Sequence, residues 1–178
     1  IHFIIYCNIL YMLWTHNTWL IFHKISKEVK VDLCQKYNDF FESFKEIIPC
    51  SFCRKHFVKQ TNGINFYNFI FDNILFELTI CFHNDVNKLN KKETWSFEKA
   101  HEHYDVLELK KKELEFFIGF YSKRKNEHII KMLKSFVFII PIKNIRRQTI
   151  YYEYKNPLTI KNFDRWVKDI LGLIDKYY

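Results

Sequence analysis

Glycine and proline are scarce, at three residues each in a chain of 178. So few turn-formers argue against glycine-rich loops that cradle phosphates and against turn-dense sandwiches or barrels, which leaves a helix-rich fold. Long apolar runs are also missing. The longest stretches, Phe3 to Trp14 interrupted by Asn8 and Phe136 to Ile142 broken by Pro141, fall short of the ~20 residues a membrane helix needs. A soluble protein with no membrane partner is expected. No basic leader with a small-residue cleavage site precedes Trp19, so a secretory signal is not read here. The five cysteines, Cys7, Cys34, Cys50, Cys53 and Cys81, are odd in number, which excludes a complete set of intramolecular structural disulfides.

What is present suits one core. Hydrophobic residues make up 48% and aromatics 19% of the chain, enough apolar surface to fold and too much for a disordered tail. The 28 Lys and Arg against 20 Asp and Glu leave a charge of +8, which suits nucleic acid, an anionic membrane or a phosphate-bearing cofactor. The basic residues do not line up with stacking aromatics, so a lysine-solvated surface is favoured and no nucleic-acid partner is expected.

Apolar residues at helical spacing predict a first helix from Ile9 to Ser26, with Trp19 and His23 on one face. Asp32 is placed to cap a second, ending before Pro49; a third starts at Cys50 and closes at Asn62-Gly63. Phe66 to Lys92 reads as one long helix and Thr94 to Tyr104 as a short fifth. Beyond it the texture changes. Leu107 to Leu133 is a charged helical pattern, Phe136 to Ile140 and Thr149 to Tyr154 are rich in strand formers, and Ile160 to Tyr177 is helical again. The reading is a mainly α protein: a helical bundle over residues 1–104 and a mixed α/β extension over 105–178.

Cys50 and Cys53 form a CxxC at a helix start, where unpaired N–H groups and the helix dipole stabilise a thiolate. Two buried cysteines by coincidence would not carry Arg54, Lys55 and His56 beside them. Zinc held by Cys50, Cys53, His56 and either Cys81 or His83 is one alternative. A redox dithiol is the other, and the helix before the motif is the wrong context for a thioredoxin. Downstream, His83, Asn84, Asn87 and Lys91 share a helix face that combines a stackable ring, amides and a cation, the groups a planar nucleotide with a diphosphate requires.

Three separated elements, Trp19-x-x-x-His23, Pro49-Cys50-x-x-Cys53-x-x-His56-Phe57 and His83-Asn84-x-Val86-Asn87 followed by Lys91 or Lys92, resemble in order the Erv/ALR family of FAD-dependent sulfhydryl oxidases. Thr94 to Glu98 is similar to the end of the domain in copies from large DNA viruses, which would place the protein in host cytoplasm or virion. The resemblance spans about Leu10 to Tyr104. It implies a four-helix bundle plus a short fifth helix, with FAD bound at one end and no resident metal. Cys50 and Cys53 would be the redox pair, with Cys53 nearer the flavin. Trp19 and His23 would line the cofactor, His56 and Phe57 would lie on the flavin side, and His83, Asn84, Asn87 and Lys91 or Lys92 would hold the adenine, ribose and phosphates. Trp95 would pack beside the adenine. Dithiol protein substrates, molecular oxygen and a second copy of the chain are the implied partners. The chain departs from the family pattern at His16, where an arginine is expected, at Leu78, where a tryptophan is common, and in having no cysteine after Cys81.

Overall fold

The computed structural model describes residues 2–178, with side chains from Thr15 onward. The expectations placed on Phe3 to Trp14 and on Cys7 lie outside the described side chains. Ten α-helices and one 3₁₀ turn, Val31–Leu33, follow one another, and no strand occurs among the described residues. Four helices carry the first half of the architecture: α1 His2–Lys27, α2 Cys34–Ile47, α3 Ser51–Gln60 and, after the short α4 Phe66–Phe71, α5 Leu75–Leu89. The fifth element, α6 Phe97–Val106, starts at Ser96, whose hydroxyl accepts from the Lys99 N–H at 3.2 Å. The rest comprises α7 Lys111–Tyr121, α8 Glu127–Ile139, α9 Lys143–Lys155 and α10 Phe163–Tyr177.

The long helix expected from Phe66 to Lys92 is two helices. No glycine or proline breaks it; Asn73 does, by taking φ 55, a left-handed conformation that asparagine tolerates better than most residues. The Ile74 N–H reaches back to the Phe69 carbonyl at 2.9 Å and the Asn73 N–H to Ile70 at 3.2 Å, which closes α4 with a Schellman turn. Asp32 lies within the 3₁₀ turn, and no side chain caps α2.

Both strands expected in the extension are helices. Phe136 to Ile140 is buried on every side, at 8% exposure or less, and a segment enclosed all round reads as an unbroken apolar run in either conformation. In the second segment Thr149 and Glu153 are buried, while Tyr151 and Tyr154 are 64% and 73% exposed; the buried pair lies at i, i+4, which is a helical period. Burial of the Glu153 carboxyl, the largest influence on it, raises its pKa. It still accepts from the indole N–H of Trp166 at 2.8 Å and the Leu158 N–H at 3.1 Å, so α9 is pinned to α10 by a satisfied polar contact.

The described core runs through both spans without a break. Tyr37, Phe40, Phe41, Phe44 and Ile47 form the buried stripe of α2, and α8 packs along that stripe while α7 lies against α1. Phe40 meets Phe136 at 5.7 Å between ring centroids, and Phe44 meets Tyr121 at 5.5 Å. A shared core predicts shared melting. Phe136→Ala should cost about 3–5 kcal/mol and lower one cooperative denaturant transition seen by all probes. Loss of α7–α10 in a separate, earlier transition would show that the two spans fold apart.

Candidate functional site

The start of α3 is built by a cysteine. Cys50 is the N-cap, its sulfur accepting the Cys53 N–H at 3.2 Å, and the two residues form a disulfide with Cα atoms 5.2 Å apart. Pro49 stops α2, and the Arg54 guanidinium ties the turn by donating to the Glu46 and Ile48 carbonyls at 3.2 and 3.3 Å. Cys53 opens into a largely apolar cavity of ≈ 230 Å³, walled by Trp19, Phe44, Ile48, His56 and Phe57. Phe52, between the two cysteines, lines its mouth and is 71% exposed.

A second cavity, of ≈ 310 Å³ and more polar, lies along α5 and takes in His83, Asn84, Asn87, Lys92, Trp95 and Tyr104. The two cavities meet across one aromatic contact: Trp19 lines the first and His83 the second, and their rings stack at 4.4 Å and 3°. The sequence-predicted residues are therefore brought together at one end of the bundle, with two qualifications. His23 is fully buried and lines neither cavity; it reaches the site through a 2.9 Å hydrogen bond to His83. Of the two candidate lysines, Lys92 lines the polar cavity. Lys91 takes φ 53 in the Schellman turn that ends α5, where the Lys92 N–H bonds the Asn87 carbonyl at 2.8 Å.

The asparagines also shape the wall. The Asn84 amide grips the Trp95 backbone from both sides, donating to its carbonyl at 2.8 Å and accepting from its N–H at 2.9 Å, and Asn87 donates to the Glu93 carbonyl at 3.2 Å. These bonds fold the segment after α5 back over the cavity and set Trp95 in place. Sequence reasoning did not single out Phe44, inside the expected second helix, Tyr104, at the end of the expected fifth, or Thr79, a hydroxyl inside an apolar run.

Burial is the main cause that holds the His83 pKa down at about 4, with Lys92 and His16 adding repulsion, and burial likewise keeps that of His23 well below the ordinary histidine value. The zinc arrangement is not assembled: Cys50 and Cys53 are joined to each other, and no group of three His, Cys, Asp or Glu side chains able to hold a metal ion exists among the described residues. The residues do fit FAD. An apolar slot beside a disulfide suits the flavin ring, and a cavity with a cation, an imidazole and an indole suits the nucleotide end. Among the described residues no helix is long and apolar enough to cross a membrane.

The sequence pattern of the Erv1 / Alr family matches residues 16–105, just over half of the chain and the span that holds α3, α5 and both bonded cysteines. No curated protein and no solved structure matches the chain.

The histidines give the fold an acid sensitivity of defined sign. A histidine whose pKa is lowered by folding binds fewer protons folded than unfolded between the two values, so its neutral form stabilises the protein above the ordinary value of 6.5 and that stability is lost as pH falls toward about 4. The melting temperature should drop across this window, and less steeply in His83→Gln. An identical slope in the variant would remove His83 from the account.

Proposed function

The chain belongs to the Erv1 / Alr family, whose activity is of the sulfhydryl-oxidase type, and from that premise we propose that it is an FAD-dependent sulfhydryl oxidase that introduces disulfides into dithiol proteins. One observation carries the reading: the Cys50–Cys53 disulfide sits at the first turn of α3, with Cys53 on an apolar cavity that abuts a polar one.

The chain's own residues perform the exchange. A substrate thiolate attacks Cys50 Sγ, the Cys50–Cys53 bond breaks, and Cys53 leaves as a thiolate. The positive dipole at the start of α3 stabilises that charge. The second substrate thiol, deprotonated, then attacks the mixed disulfide; the substrate departs oxidised and Cys50 is released, so two electrons and two protons have passed from the substrate. FAD bound across the two cavities would supply the two-electron acceptor for the reduced pair and, with molecular oxygen, the route to hydrogen peroxide. Trp19, His56 and Phe57 would hold its ring against Cys53, while Lys92, the asparagines and Trp95 would hold its nucleotide end. A second copy packed along α1 is the further partner in this reading. The likeness of Thr94 to Glu98 to copies from large DNA viruses, with the chain's Lys, Asn, Ile and Phe bias, supports a viral source in this reading and, with it, host cytoplasm or virion.

Cys50→Ser and Cys53→Ser should each reduce dithiothreitol-dependent oxygen uptake to background and keep FAD bound, since other side chains hold the cofactor. Lys88→Ala, on an exposed residue paired with Asp85, should oxidise at the wild-type rate. Near-normal turnover by either cysteine variant would refute the assignment of the pair.

A further inference from the structure

Between α1 and α5 runs a chain of side-chain hydrogen bonds whose protons can be placed by elimination. His23 is fully buried, with Nδ1 2.9 Å from the Thr79 hydroxyl and Nε2 2.9 Å from His83 Nδ1. Thr79 has one hydroxyl proton, and its nearest acceptor is the Phe76 carbonyl at 2.7 Å. Ser26, 3.2 Å from the same oxygen, has its own proton directed at the Phe22 carbonyl at 2.6 Å. No hydroxyl proton is left for His23, so Thr79 accepts and His23 carries its hydrogen on Nδ1. Enclosure keeps the imidazole neutral, so its Nε2 is a bare acceptor. The hydrogen in the contact between the two rings must then come from His83 Nδ1. A neutral His83 protonated there has a lone pair at Nε2.

We propose that Thr79 is a positioning residue which, through His23, fixes His83 as the Nδ1–H tautomer, so that His83 offers the polar cavity a hydrogen-bond acceptor and takes a donor of the bound nucleotide, an amino or hydroxyl group, and not a phosphate oxygen. The ligand part of this inference rests on the reading of that cavity as the nucleotide end of an FAD site. The division of labour is consistent with the rest of the wall: Lys92 lines the same cavity and is the cation available to phosphate. Thr79 itself lines neither cavity. It acts at one remove, and an apolar side chain in its place would leave the His23 Nδ1–H buried without an acceptor. The chain would then reverse: His23 would donate from Nε2, and His83 would turn a donor toward the ligand's donor.

Long-range 1H–15N spectra of the full-length protein at neutral pH read the tautomers directly. Both histidines should carry hydrogen on Nδ1 in the wild type and in Thr79→Ser, and on Nε2 in Thr79→Val. FAD titrated into the three proteins should bind about ten-fold or more weakly to Thr79→Val alone, with rescue by the serine showing that the hydroxyl matters and not the packing. FAD carrying hypoxanthine in place of adenine separates the two donors: weaker binding assigns the amino group, and unchanged binding assigns a ribose hydroxyl. Wild-type protein that binds FAD while His83 is protonated on Nε2 overturns the relay and leaves the oxidase reading standing. Protein that shows the stated tautomers and binds no FAD supports the relay and overturns the nucleotide reading of the cavity.

Discussion

The contact that everything else in the site depends on is the one between His23 and α5. A fully enclosed imidazole has two nitrogens that must both be satisfied, and here both partners, Thr79 and His83, belong to the facing helix. That fixes how α1 and α5 lie against each other. It also sets Trp19, one turn earlier on α1, flat against His83, and this stacked pair divides the end of the bundle into an apolar slot beside the disulfide and a polar one along α5. Cysteine chemistry on α3 and nucleotide-compatible chemistry on α5 thus become neighbours through a residue that touches neither cavity.

The second half of the chain supports this arrangement from behind. Phe44 lines the apolar cavity with part of its ring surface and meets Tyr121 of α7 with another; the Tyr121 hydroxyl lies 3.4 Å from Thr18, itself at the cavity wall. The helices of the second span therefore press on the wall of the slot. Displacing them would move that wall, because close-packed rings cannot shift independently. Buried polar contacts inside α8–α10, such as Arg146 donating to the Ile140 carbonyl at 2.7 Å, hold that backing in shape.

The parts of this structure that announce themselves in the sequence are those whose chemistry is local. Cys50 and Cys53 three residues apart after a proline, Trp19 four before His23, and His83-Asn84 before Asn87 are patterns within one or two turns, and the structure gathers them at one end of the bundle. The misreadings have physical causes of their own. The Asn73 turn depends on a backbone conformation that asparagine permits without requiring. The apolar run at Phe136 was ambiguous because full burial erases the difference between a period of two and one of 3.6. The place of Thr79 and the separate fates of Lys91 and Lys92 follow from tertiary contacts and from which residue takes the left-handed position, and no pattern within a single helix carries that information.

The most direct test of the central claim is the visible spectrum of the purified protein before and after dithiothreitol, first without oxygen and then in air. The account predicts a yellow protein with flavin absorbance that bleaches as the thiol reduces the Cys50–Cys53 pair and returns when air is admitted. A colourless protein that binds no added FAD, or a yellow one whose flavin is indifferent to thiols, would contradict it.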